Sequence, residues 1–242
     1  MARVRTLSQM REEAYRKADC EGAYDRHDRA DVDRDINQGI AQWWDALIEV
    51  RGAEYLQKQT PTSITTVAST TAYNLAADFY MLVGVRIADA GGYPLVRFAP
   101  EEEAALRELS TSGGWPTHYQ VRRHVNTTAT PQGEVTHSLV VLPAHPAALT
   151  LTVDYVPHAP ELVNDADYLD GANGWEDYAI LYAAREMADR DDEPALYGRL
   201  DVRMKEARAR ITRVAPKRDM HQARRVKDVR GSRFYGRRFP PA

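Results

Sequence analysis

The spacing of apolar residues changes twice along this chain, and that double change constrains the fold more than any motif in it. Leu7, Met10, Ala14 and Ala18 recur at helical intervals, and Ile36, Ile40, Trp43 and Leu47 do so again over a longer stretch. Apolar residues returning every three or four positions give a helix one stripe to bury. From Tyr55 the interval falls to two, in "SITTV", "FYMLVGVRIAD", "YPLVRFA", "HYQVRRHV", "SLVVLPA" and "LTLTVDYVP", the pattern of strands with one face inward. Helical spacing returns in "GWEDYAILYAAREMADR" and, after "DDEP", in "ALYGRLDVRMKEARARITRV".

Local signals set the boundaries. Thr6 and Gln9 stand at capping-box spacing, which predicts a first helix over residues 7–18. Asp31 is the expected N-cap of the second helix and Gly52 its stop. "ADAGGYP" reads as a hairpin turn, and "PEEEAALREL" as a short helix opening at Pro100 with acids in its first turn. The third long helix is expected from Trp175, with Glu176 and Asp177 in its first turn and the turns Asp170-Gly171 and Asn173-Gly174 before it. In the last helix Leu196, Leu200, Met204, Ala207, Ile211 and Val214 form a stripe opposite Arg199, Arg203, Glu206, Arg210 and Arg213, a solvated face or a subunit contact.

The fold expected is α+β. Four amphipathic helices pack as a four-helix bundle-like domain, residues 1–54 and 160–215, because none can bury its stripe alone. An inserted antiparallel β module, residues 55–159, interrupts it, and an extended basic C-terminal arm, residues 216–242, follows. An apolar content of 43% is enough for a core in 242 residues. With a single cysteine, Cys20, no intramolecular disulfide forms. No stretch approaches the roughly 18 apolar residues of a membrane span, and the first residues contain no apolar signal core, so a product made and kept in the cytoplasm is expected.

Charge is divided unevenly. From Lys217 onward there are nine basic residues against two acidic ones, a net +7; the whole chain carries −3, so the body carries −10. Such asymmetry marks an interaction tail, with nucleic acid, an anionic membrane or an acidic protein surface as candidate partners.

Motifs of catalysis are missing from the sequence. It contains no G-x-x-x-x-G-K-[ST], G-x-G-x-x-G, H-E-x-x-H, G-x-S-x-G or C-x-x-C. His27, His118, His124, His137, His145, His158 and His221 are scattered, with no pair at ligand spacing on a predicted helix, so no metal site is expected. Cys20 lies near Lys17 but has no identifiable base. "DADYLDGANGWE" puts Asp165, Asp167 and Glu176 at positions 1, 3 and 12 of a calcium loop, but Leu169 and Asp170 stand where a ligand and the obligatory glycine belong. A rigid corner is the better reading. "DRHDRADVDRD" alternates acids and arginines that neutralise one another in solvent. Asn126 matches a glycosylation acceptor, without meaning in a chain that is not exported.

The succession "TLSQMREEAYRKAD", "DVDRDINQGIAQWWDALIEVRG", "TAYNLAADFYMLVGVRIAD" and the segment from "LVVLPAHP" to "AAREMADRDD" resembles head-to-tail connector (adaptor, neck) proteins of tailed bacteriophages over about residues 5–215. "YNLAADFYMLVGV", "YVPHAPELVNDADYLDG" and "GWEDY" carry most of the resemblance, as packing and turn patterns. It implies a structural virion protein at the head-tail junction. Such a protein assembles as a ring, typically of twelve subunits, bound to the portal above and to a tail protein or second adaptor below, with DNA passing through. It implies no enzymatic activity and no cofactor. The portal-binding arm would then comprise Arg224, Arg225, Lys227, Arg230, Arg233, Phe234, Tyr235, Arg237, Arg238 and Phe239. Candidate acids facing the lumen are Asp28, Asp31, Asp33, Asp35, Glu49 and Glu54, since an acidic wall would not hold passing phosphates. Two rival readings stand beside this one: a nucleic-acid-binding protein whose tail aromatics stack on bases, and a tail-associated cell-wall hydrolase resting only on the many carboxylates.

Overall fold

The computed structural model describes residues 5–21, 26–109, 114–125, 135–169 and 174–214. The elements follow the expected change of period: strand β1 (Arg5–Thr6), helices α1 (Leu7–Lys17) and α2 (Arg29–Arg51), then strands β2 (Thr62–Thr65), β3 (Ala72–Asn74), β4 (Phe79–Ile87), β5 (Tyr93–Pro94) and β6 (Val96–Arg97). Helix α3 (Glu103–Leu109) precedes β7 (His118–Val125), β8 (Val135–Leu142), β9 (Thr150–Pro157) and β10 (Tyr168–Leu169), and α4 (Asp177–Arg190) and α5 (Pro194–Val214) complete the described chain. The protein is mixed α+β.

Helix starts show where local sequence decides. Thr6 and Gln9 form the expected capping box of α1, Gln9 N donating to Thr6 Oγ1 at 3.4 Å and Thr6 N to Gln9 Oε1 at 3.2 Å. Helix α2 begins one turn earlier than expected. Its N-cap is Asp28, which accepts from Ala30 N at 3.2 Å, and Asp31 lies inside the first turn. Both acids suit a helix N-terminus, and the turn gained is a solvent-facing one, with Arg29 and Ala30 exposed ahead of the buried Val32. Helix α4 starts two residues later than expected: Asp177 is in its first turn, whereas Glu176 occupies the cap position without capping.

Helices α1, α2, α4 and α5 share one core, with Met10, Ile36, Ile40, Leu47, Ile180, Met187 and Leu200 fully or almost fully buried. Helix α4 touches the other three. Its small residues Ala179, Ala183 and Ala184 permit close approach, and at Gly39 of α2 an added Cβ would lie 2.8 Å from Ala179 Cα. Leu196, Leu200, Met204 and Ile211 of the α5 stripe are buried, with Ala207 packed against the same core, and Arg199, Arg203, Glu206, Arg210 and Arg213 are exposed.

The strands between α2 and α4 form two four-stranded sheets, ordered β2-β9-β4-β5 and β3-β8-β7-β6. Pairing is antiparallel except for β6 against β7, which is parallel. The "ADAGGYP" turn links β4 to β5, with Gly91 and Gly92 at φ 68° and 81°, a region that favours glycine. The sheets close on a second core: Phe79, Val85 and Ile87 from one meet Leu139 and Val141 from the other. Strand β8 is buried on both faces, because Val140 and Leu142 pack outward against Phe98 and Leu106 of the α3 region. A third ladder of two residues pairs β1 with β10 and fixes the start of α1 to the corner that leads into α4.

Candidate assembly surfaces

The corner after β9 is held by side chains that imitate backbone. Asn37, in the middle of α2, donates from Nδ2 to Leu162 O at 3.0 Å and accepts from Leu162 N at 2.9 Å, as a strand neighbour would. The Asp167 carboxylate accepts from the amides of Val163 and Asn164 at 2.9 and 2.8 Å. These amide donors hold its carboxyl below the usual aspartate range. Arg11 of α1 reaches Asp33 of α2 at 2.7 Å and Asp165 of the corner at 2.8 Å. The carboxylates arranged like a calcium loop thus have other work: Asp165 pairs with Arg11, Asp167 caps its own turn, and Leu169 lies in β10. Glu176 is buried, 3.5 Å from Arg5 Nε, and Arg5 Nη1 donates to Asp177 at 2.6 Å.

This corner walls a groove of about 570 Å³ against the outer face of α2, lined by Ala30, Asp33, Asn37, Ala41, Leu162 and Val163 among others. Val163 is 73% exposed at its rim, and Tyr168 in β10 is 62% exposed. On the β module Arg123, His137 and His158 converge with Phe79 and Tyr80 around a pocket of about 350 Å³. Burial, reinforced by the Arg123 charge, pushes the His137 imidazole below its ordinary value. Further apolar side chains stand in solvent along the module: Val67, Tyr93, Val96, Leu109 and Trp115.

The proposed lumen acids divide by position. Asp35 is 3% exposed and pairs with Arg190 of α4 inside the subunit, and Asp33 is engaged by Arg11. Asp35 therefore cannot present its charge to a channel. Asp28 and Glu49 are exposed, the latter 3.4 Å from Arg208, and Asp31 pairs with Arg34 at 2.8 Å. Glu54 is exposed in the turn after α2. The arm residues Arg224 to Phe239 lie outside the described residues.

One cluster escaped the sequence reading. Cys20, following α1, His27, preceding α2, and Asp191, ending α4, bring their donor atoms within 4.8 Å of one another. Only the packing of three helix ends assembles them, so no spacing along the chain announces the group. It is not arranged as a hydrolytic triad, in which the imidazole would stand between nucleophile and acid. Here Asp191 Oδ2 stands in the middle, 3.0 Å from His27 Nε2 and 3.7 Å from Cys20 Sγ, and both Cys20 and His27 are at most 5% exposed.

The grooves and the exposed apolar side chains are surface on which another chain can pack. The family model described as SU10 adaptor protein matches residues 5–230. The chain belongs to that family, a family of bacteriophage head-tail adaptors, and is a structural component of the virion. Among curated proteins no match was found.

Proposed function

We propose that this adaptor is one subunit of a ring, of twelve copies by analogy with the connectors it resembles, that joins the portal to the tail and surrounds the path of the DNA. The observation that carries the reading is the family match over residues 5–230, nearly the whole chain. The charge division supports it. A body of net −10 suits a wall that passes DNA without binding it, and a basic tail suits an acidic protein partner. The acids offered to the lumen are Asp28, Asp31, Glu49 and Glu54. The arm docks on the portal through Arg224, Arg225, Lys227, Arg230, Arg233, Arg237 and Arg238, while Phe234, Tyr235 and Phe239 enter apolar pockets between portal subunits. The function is mechanical and requires no catalysis.

Truncation tests this. Removal of residues 224–242 should leave the helical circular dichroism and the melting temperature of the body unchanged, and should abolish rings on portal-bearing heads seen by electron microscopy. If the truncated protein still decorates portals while losing salt-sensitive affinity for DNA, the nucleic-acid reading replaces the docking one.

A further inference from the structure

We propose that Cys20, His27 and Asp191 form a binding site for a zinc-type divalent cation at the junction of α1, α2 and α4. A thiol, an imidazole and a carboxylate are the donor set such ions select. The spacing fits as well. Zinc bonds of about 2.0–2.2 Å to nitrogen and oxygen and about 2.3 Å to sulfur give tetrahedral edges of about 3.4 Å for N···O and about 3.6 Å for S···O. The corresponding separations are 3.0 Å for His27 Nε2 to Asp191 Oδ2 and 3.7 Å for Cys20 Sγ to the same oxygen. A small adjustment admits the ion, with water in the fourth position.

The surroundings favour a cation. Asp191 is the C-cap of α4, and Cys20 lies two residues beyond the C-cap of α1, so two helix C-termini with their partial negative charges converge on the cluster. A carboxylate at such a place, only 10% exposed, is in unfavourable electrostatic surroundings unless positive charge is near. Arg26 supplies some, 3.0 Å from Asp191 Oδ1, but its side chain is half in solvent. That contact engages Oδ1 and turns Oδ2 towards His27 and Cys20, orienting the carboxylate as outer partners of metal ligands do. The segment carrying His27 is itself fixed, since Tyr15 Oη donates to His27 O at 3.0 Å. On binding, the sulfur–metal bond forms as the thiol proton leaves to solvent; thiolate and carboxylate then neutralise the dication. The ion would tie three helix ends together and stabilise the fold by as much as it binds the folded chain over the unfolded one.

Zinc content and cobalt substitution of the full-length protein test the site. Wild-type protein purified with zinc should keep one equivalent per chain through desalting, and its cobalt form should show an intense thiolate-to-metal charge-transfer band. Cys20→Ser and His27→Gln should lose both, while His158→Ala, exposed on the β module, should keep them. Should a ligand variant fail to fold, the zinc content and the cobalt band of the wild type alone still decide. Wild-type protein without zinc and without the cobalt band overturns the proposal. So does zinc retained equally by folded Cys20→Ser, which would mark surface binding elsewhere.

Discussion

At the scale of single residues, burial and pairing pull against each other most clearly at Asp35. Desolvation raises its carboxyl above the ordinary aspartate range, and Arg190, the partner that opposes this, does not fully compensate. A carboxyl whose proton is held more tightly in the folded chain favours folding at low pH and loses that contribution as pH rises through its folded value. Asp35→Asn keeps an acceptor for Arg190 and removes the desolvation cost, so it should stay within about 1 kcal/mol of wild type at neutral pH. Arg190→Ala strands the charge and should cost about 3 kcal/mol at pH 7, with the deficit shrinking in acid as the carboxyl is protonated. Chemical denaturation of both variants across pH measures the contrast; equal losses at pH 7 would mean that the Asp35–Arg190 pair is a net attraction. Asp78 has the opposite sign. The Tyr155 hydroxyl and Lys58 hold its carboxyl below the ordinary range, so its contribution is present at neutral pH and fades as pH falls through the folded value. Asp78→Asn should thus be less stable than wild type at neutral pH and approach it in acid.

At the scale of elements, the contact of α2 with α4 depends on a residue with no side chain. In an exposed helix Gly39→Ala would stabilise by about 1 kcal/mol through lower backbone entropy. Here the new Cβ would meet Ala179 Cα at 2.8 Å and Ala179 O at 3.1 Å, both backbone atoms that move only if the helices separate. The substitution should instead destabilise, by about 1–3 kcal/mol, and Gly39→Leu by more. Thermal melts of the two variants decide between propensity and packing; a gain in stability for Gly39→Ala would show that the helices have room to part.

At the scale of the whole molecule, two cores with separate memberships raise the question of independence. The chain enters and leaves the β module side by side, Lys58 N donating to Tyr155 O at 3.1 Å and Thr62 pairing with Val153. Leu56 and Ala159 belong with the helices, whose core they help to cover. We propose that residues 60–156 can be replaced by a short Gly/Ser linker with the helical part still folded. Contacts across the boundary include the packing of residues 53–56 on β4 and β9 and polar links such as Gln57 Nε2 to Asp154 at 3.0 Å and Tyr80 Oη to Asp45 at 2.6 Å. A cooperative melt with strong helical dichroism is expected from the shortened protein. A chain without a transition would show that the sheets complete the helical core.

Short-range pattern is enough to place the elements. Apolar spacing placed the long helices and the strand region, the capping box fixed the start of α1 to the residue, and the paired glycines placed the β4–β5 turn, because each rests on neighbours a few positions apart. The family, too, was legible in packing and turn patterns, and the match over residues 5–230 bears it out. Tertiary structure decided what depends on distant residues. It chose Asp28 over Asp31 as the cap of α2, since both residues can cap and short-range pattern does not rank them. It drew Asp35 inward to Arg190, 155 positions away, although the residue reads as one more acid in a charged stretch. It used Asn37 as a surrogate strand for Leu162, made the parallel β6–β7 pair, and gathered Cys20, His27 and Asp191 from three helix ends. Local pattern fixes which face of an element is apolar, but the partner of a polar group is set by where chain folding carries it, and no short-range period records that.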